Sequence, residues 1–362
     1  MQRLLLLFFC LACSVGRAAP PEDLHGQWAA EFFSLASELE KIDFSQSPVA
    51  TDGLIHVSDA EWPFLAFFYL GLAGCNLAES DSQRRDECHK KVAWCLDRMQ
   101  TRRISGFMEP HYGPLWDGPI RKPSVLVQGY TFYLMARYRQ TSGDASFDSQ
   151  MQRLAEAFEK AFAENPILPS YPRLWWPTDN LPAMAGLKRF RSIFPKDRPD
   201  VSEKWVGEMK KHYTHSPTGL FCAYIDPATQ RPLGEPRGVA LMFAIPFLQE
   251  IAPAYASEIY KAAKEHFIRE VMGMSGVREF LESSTEKPDA DSGEVLFGLG
   301  TSASGLAIAA AASMRDQATF WNLTQSEAVL RQMLEGNAQG PLLLPTVGKT
   351  VVLYGRSFPT LP

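Results

Sequence analysis

The chain has 362 residues, 46% hydrophobic and 21% charged, with both signs intermixed. That is enough for one large core or two modest domains. A formal net charge of -5 with no basic block argues against a nucleic-acid partner.

Residues 1–19 read as a secretory leader. Arg3 is the positive group, residues 4–12 the apolar stretch, and Gly16-Arg17-Ala18 or Ala19 the small-residue cleavage site. Leu11-Ala12-Cys13-Ser14 also comes close to a lipoprotein signal, although Cys10 stands where an aliphatic residue is usual, so a lipid tether at Cys13 is the variant reading. No later run reaches the ~20 uninterrupted apolar residues of a membrane span. The expected product is exported, to periplasm or extracellular space, as a single domain over 20–362. Four cysteines then remain. Cys75 and Cys88 flank a helical turn where an antiparallel hairpin could bridge them, Cys95 lies on the same face as Cys88, and Cys222 stands apart. Their spacing matches no zinc signature. Buried or bridged structural cysteines are the plain reading.

Helical periodicity begins at 23–41, with Trp28, Phe32, Phe33, Leu35 and Leu39 on one side. A couplet then recurs: an apolar first helix, a short break, and an amphipathic second helix. It is read at 63–78 and 83–101, 125–141 and 147–164, 177–190 and 201–213, 238–251 and 254–271, and 294–314 and 324–334. Near the end, Thr350-Val351-Val352 is a β-branched run that predicts a short strand. A helix apolar on all sides needs burial, while its partner keeps one wet face. Five such hairpins with flanking helices predict an all-α fold with two concentric rings, an (α/α)6 toroid; an open solenoid is the competing arrangement.

The stretches that lead into the first helices are long and rich in carboxylates and aromatics, whereas the turns inside hairpins are short and plain. In an up-down ring the former gather on one rim, and function on loops of a rigid scaffold is the usual arrangement. In YPRLWWPTDN, Tyr171, Trp175 and Trp176 offer flat faces to a sugar ring or an isoprenoid chain, and Asp179 is a candidate acid or base. Asp179 or Thr178 would equally suit a helix cap. Between 219 and 238 the polar candidates are Tyr224, Asp226, Glu235 and Arg237, with Arg237 able to orient a carboxylate through two hydrogen bonds; Cys222 is a candidate proton donor or an inert thiol. Asp289, Asp291 and Glu294 stand close enough to raise one another's pKa if they are desolvated together, which would make Asp291 the partner acid or base; they too would suit a helix N-terminus. His111 and Tyr112, in a Pro-His-Tyr-Gly turn, are candidate proton carriers. No phosphate loop, nucleophile elbow or HExxH motif occurs, so neither a nucleotide cofactor nor a catalytic zinc is expected.

Taken together, WWPTDN (175–180), GLFCAYIDP (219–227), GEPRG (234–238), GVREF (276–280) and DADSGEVLFGLGTSASG (289–305) resemble, in this order, proteins of the linalool dehydratase/isomerase-like family. The resemblance spans roughly residues 55–315, with Glu294 where relatives often carry proline. It implies an (α/α)6 barrel and cofactor-free acid–base chemistry on an alcohol, without placing the family's catalytic cysteines here. The same barrel carries many glycan hydrolases and lyases, and fold does not fix function. The expectation is an acid–base enzyme, with Asp179 and Asp291 as catalytic pair, acting on a glycan or a small alcohol. A non-catalytic envelope protein that binds a glycan or other ligand in the same cleft is the alternative.

Overall fold

The computed structural model describes residues 23–42, 57–172, 175–195, 200–335 and 346–359. The leader at 1–19 and Cys13 lie outside them. Among the described residues there are twelve helices of eleven residues or more: α1 (Leu24–Lys41), α2 (Val57–Ser80), α3 (Arg85–Met99), α4 (Tyr130–Ser142), α5 (Asp148–Glu164), α6 (Asn180–Ile193), α7 (Ser202–His212), α8 (Gly238–Ile251), α9 (Pro253–His266), α10 (Thr301–Ser313), α11 (Gln317–Glu335) and α12 (Thr346–Arg356). No described helix is long and apolar enough to cross a membrane.

The even-numbered helices from α2 to α10 carry the apolar runs and α12 joins them. Each packs against the next around a circle, and α12 packs back against α2, so the inner ring closes. The alanine-rich α10 is buried from Leu306 to Ala312, and α8 on nearly every face. Helices α3, α5, α7, α9 and α11 cover the ring from outside, showing one wet face each. The sixth outer helix is α1, which buries Trp28, Phe32, Leu35 and Leu39 and packs on α12. The fold is therefore the predicted (α/α)6 toroid, closed rather than open, with its last hairpin assembled from opposite ends of the described chain.

That assembly corrects the reading of the C-terminal stretch. Thr350-Val351-Val352 is no strand; it lies within α12, the sixth inner helix. Thr350 turns its hydroxyl back to the Val347 carbonyl (2.8 Å), a bond made within the helix. Burial in the ring seam outweighs the β preference of the branched residues, which is a weak and context-dependent one. Close approach at this seam relies on Gly355, where a Cβ would fall 2.7 Å from the Ala309 backbone nitrogen and 2.9 Å from the Ile308 Cβ. Gly355→Ala is expected to lower stability by about 1–3 kcal/mol through overpacking, read as a fall in thermal midpoint; an unchanged midpoint would mean the seam has slack.

Three small antiparallel sheets decorate the rim. β1 (Thr214–His215) pairs with β2 (Leu220–Phe221), and β3 (Tyr224–Ile225) with β4 (Pro232–Leu233). The third runs in the order β5 (Ile268–Val271), β6 (Met274–Arg278), β8 (Leu299–Gly300), β7 (Val295–Leu296). It replaces two stretches read as helix. The polar helix ends at His266, and Met272-Gly273 then turns the chain with positive φ at both residues. Likewise 294–300 is no helix start: Phe297-Gly298 makes a second turn with positive φ, and α10 begins at Thr301. Two adjacent positive-φ residues are the signature of a tight hairpin turn.

The four described cysteines are free thiols, so the bridge envisaged from Cys75 to Cys88 or Cys95 is not made. Cys75, Cys88 and Cys95 are wholly buried in α2 and α3, where they pack as small apolar residues.

Candidate active site

The inner helices share a direction, so their leading ends meet on one rim, and there a cavity of about 830 Å³ opens. Its wall takes Glu61 and Tyr69 from α2, Tyr130 from α4, Tyr171, Trp176 and Asp179 from the loop before α6, and Asp289, Asp291 and Glu294 from the loop before α10. Aliphatic side chains, among them Leu65, Val239 and Leu306, complete it.

Asp179 ends a single 3-10 turn, Pro177–Asp179, ahead of α6, and its carboxylate caps no helix. It accepts a hydrogen bond from the Tyr130 hydroxyl at 2.8 Å. Tyr130 reaches it because α4 is entered through a π-turn at Val125–Gly129. The wider turn resets the helical phase just before the tyrosine, a feature often found at functional sites. Tyr130 is otherwise packed by Phe243, stacked at 5.6 Å, and by Phe68 at 4.8 Å. Burial pushes the Asp179 pKa up to about 6, although hydrogen bonds from Ser170 and Tyr130 pull the other way.

Asp291 sits in the loop that the sequence places at a helix mouth. The cap of α10 is instead Gly300, nine residues on. No described residue donates a hydrogen bond to the Asp291 carboxyl, and its pKa is also pushed up to about 6. Burial contributes most, then the charge of Asp289, with Asp179 adding and Arg237 opposing. Gly293 gives the loop its bend: its φ is +61, and a Cβ there would fall 2.6 Å from the Thr301 hydroxyl.

Glu61 is the third acid, and the sequence reading missed it. It is 9% exposed and hydrogen-bonded to the Tyr171 hydroxyl. Its pKa is raised well above the usual range by burial and by the charge of Asp291; the Tyr171 bond opposes and Asp179 adds. A carboxylate one residue before Trp62-Pro63, at the leading end of an otherwise apolar inner helix, was the signal available. Glu61, Asp179 and Asp291 thus form one electrostatic group.

The remaining candidates divide. Glu294 lines the cavity and is exposed, while Trp176 lines it and meets Tyr224 edge-on at 4.3 Å. Arg237 is 1% exposed and is not part of this cavity's lining; it grips Asp289 and Glu279 behind the wall, so it orients protein carboxylates and not a ligand. Tyr224 stands beside it, hydrogen-bonded to its guanidinium. Trp175 is held by its backbone, which pairs with Ile225, and its side chain is not part of the cavity wall. His111 is exposed on the short Glu109–Tyr112 helix, away from the cavity lining. Tyr112 donates to the Pro169 carbonyl at 2.9 Å and braces the loop that carries Tyr171. Cys222 is 5% exposed, outside the lining, and burial raises its pKa, which suits an inert thiol. Asp226 accepts from the Ala228 amide at 2.8 Å and makes a turn. Among the described residues no group of three or more His, Cys, Asp or Glu is arranged to hold a metal ion.

Solved structures share this architecture. The chain is similar to an inactive variant of the alpha-1,6-mannanase of Salegentibacter sp. HEL1_6, in complex with alpha-1,6-mannotriose. The TM-score is 0.57 at 10% identity, over 92% of this chain and 99% of that one. It is similar to a family 76 glycoside hydrolase (mannosidase) of Bacteroides thetaiotaomicron VPI-5482, with a TM-score of 0.52 at 11% identity, over 91% of this chain and 97% of that one. An unsaturated glucuronyl hydrolase specific for heparin gives 0.52 at 13%, over 93% and 96%. At such identities the likeness is one of fold. These structures support the barrel implied by the linalool dehydratase/isomerase-like resemblance and lend nothing to its terpene chemistry. The mannanase variant is inactive with two adjacent aspartates replaced, and this chain has no two adjacent aspartates. No protein-family model matches the chain, and no curated protein matches it in sequence.

Proposed function

We propose that the protein is an exported glycan hydrolase that works by acid–base catalysis with its own carboxyls. The observation that carries this is the convergence of Asp179, Asp291 and Glu61 on one aromatic-walled cavity, two of them poised at about 6. The solved glycoside hydrolases on the same barrel agree with it.

The roles follow from the coupling. Asp179, the more deeply enclosed, holds the proton. Once it is neutral, one of the charges that raises Asp291 disappears, and Asp291 ionises. Asp179 then gives its proton to the glycosidic oxygen as the bond to the anomeric carbon breaks. A water attacks that carbon and loses its proton to Asp291. Trp176 and Tyr171 supply flat faces for the sugar.

The cavity also states a charge preference. Glu61, Asp179, Asp289, Asp291, Glu294 and Glu327 line it, and no described lining residue is Lys, Arg or His. Asp289 and Glu327 are paired with arginines behind the wall, which leaves Asp291 and Glu294 to repel a uronate or sulfated sugar, so a neutral or amine-bearing glycan is the favoured substrate class. The test is reducing-end release from neutral, aminated, uronate and sulfated oligosaccharides at pH 6. Hydrolysis confined to the first two groups is expected. Cleavage of the anionic ones would overturn the charge preference, and binding without release from any would favour the non-catalytic ligand-binding alternative.

A second reading has one observation behind it, the aliphatic share of the wall at Leu65, Ala66, Val239, Ala240 and Leu306. It suits dehydration or isomerisation of an apolar alcohol by the same acids. An alkene product in place of a reducing sugar separates the two.

A further inference from the structure

We propose that Arg237 is the positioning residue that fixes how the two acid-bearing loops face each other, holding Asp291 toward Asp179 from behind the cavity wall. The inference rests on the acid–base reading of the site and adds to it what sets the geometry.

Three carboxylates fall within six residues, Asp289, Asp291 and Glu294, and left alone they would spread the loop by mutual repulsion. Arg237 prevents this through Asp289 only. Its two terminal nitrogens take the two Asp289 oxygens at 2.7 and 2.8 Å, and one of them also reaches the Ser292 hydroxyl at 2.9 Å. The loop then winds about the same carboxylate. The Asp291 and Ser292 amides donate to Asp289 Oδ1 at 3.1 and 3.2 Å, as does the Ser292 hydroxyl at 3.1 Å. The backbone of Asp291 is pinned on both sides while its carboxyl remains unbonded.

The same guanidinium bears on the opposite loop. Its centre lies 5.5 Å from the Trp176 ring, with Tyr224 at 5.6 Å and Phe280 at 5.4 Å. Trp176 is fixed in turn by Ser170, and its carbonyl accepts the Asp179 amide at 3.1 Å. Arg237 itself is seated by Glu279, wholly buried, at 2.6 Å. Glu279 is held against the start of α8 by its carbonyl, which takes the Gly238 amide at 2.8 Å. A planar fork with donors in several directions can make all these bonds at once; an ammonium cannot.

The charged or titratable groups around Asp291 are Asp289 and Glu294 on its own loop, Arg237 and Tyr224 behind it, and Asp179, Glu61 and Tyr171 across the cavity. Two variants separate positioning from charge alone. Arg237→Lys keeps the charge and loses the fork. Asp289→Asn keeps the shape and removes the anion that is gripped, which also guards against an Arg237 variant that fails to fold. The Asp291 carboxyl would be followed by carbon NMR titration of protein labelled at aspartate, assigned with Asp291→Asn, a readout that requires no turnover. Catalysis would be followed on a 4-methylumbelliferyl glycoside that the wild type cleaves.

The expected results are a kcat at least 30-fold lower for both variants, with KM within about threefold for Arg237→Lys, since Arg237 lies behind the wall. The Asp291 midpoint should move up in Arg237→Lys and down in Asp289→Asn. An Arg237→Lys protein with wild-type kcat and titration would overturn the proposal, as would a folded Asp289→Asn protein with both unmoved. An Asp291 midpoint that moves in Arg237→Lys, where the charge is kept, in a protein that cleaves no glycan supports the clamp and counts only against the hydrolase reading; the fall in Asp289→Asn follows from the lost charge alone.

Discussion

Asp179→Asn and Asp291→Asn will each cut turnover by about 10²- to 10⁴-fold, and each will leave the protein more stable at pH 7.5. The first effect is that of removing a group that moves a proton in the transition state, typically a factor of 10² to 10⁴. The second follows from linkage. Both carboxyls have folded pKa values of about 6, above the value of 3.8 that they carry when unperturbed. The folded state therefore binds these protons more tightly than the unfolded one. Their contribution to stability is fully present below the unfolded pKa and is lost as pH rises through 6. Asparagine cannot ionise and escapes that loss. Two pKa units correspond to about 3 kcal/mol at most for each residue, reduced by solvent in the open cavity, and the two gains will not add because the groups share one field. The amide introduced by Asp179→Asn would keep an oxygen for the Tyr130 hydroxyl, so the packing around it need not change. Thermal melts at pH 4.5 and 7.5 supply the check: a midpoint that rises more at the higher pH marks a carboxylate kept at a cost to the fold. A midpoint that falls equally at both would make Asp179 or Asp291 a structural group.

The sequence discloses local features of this fold more readily than closure. Five hairpins are legible because the contrast between an apolar helix and a wet-faced one is written within each couplet. The sixth is not, since its halves, α12 and α1, are separated by the length of the ring, and the inner half carries β-branched residues whose preference only burial overrides. The rim is legible for a similar reason: long leading loops rich in acids and aromatics mark it without reference to distance. What a loop does with each side chain is not written there. Trp175 and Trp176 are adjacent and only Trp176 reaches the cavity; Arg237 faces inward to Asp289, while His111 is left to solvent. Glu61 is hidden by looking like an ordinary acid in a first helical turn, and Tyr130 by looking like core. Its route to Asp179 depends on a π-turn, for which the run VLVQG carries no distinguishing residue. The alternatives based on helix caps fail at Asp179 and Asp291 because the chain spends Tyr130 on the one carboxyl and a whole β-hairpin between the other and α10.

Turnover will follow a bell in pH centred near 6. The productive state holds one proton on the Asp179–Asp291 pair, on Asp179, and the two macroscopic steps belong to the pair. Below the lower step Asp291 takes up a proton and can no longer accept one from water, so activity falls as pH falls. Above the upper step Asp179 loses the proton that it must give, so activity falls as pH rises, by up to tenfold per unit once well past the step. Burial and the charges of Asp291 and Asp179 raise the Glu61 pKa against the Tyr171 hydrogen bond, so Glu61 belongs to the same coupled group. One substitution identifies the alkaline limb. The Tyr130 hydroxyl stabilises the ionised form of Asp179, so Tyr130→Phe should raise the Asp179 pKa and carry the upper limb to higher pH, leaving the lower limb nearly where it was. The profile of kcat/KM from pH 4 to 9 for the two proteins decides it. A flat profile would remove the carboxyl pair from the mechanism. A bell whose lower limb moves instead would exchange the roles, making Asp291 the acid and Asp179 the base.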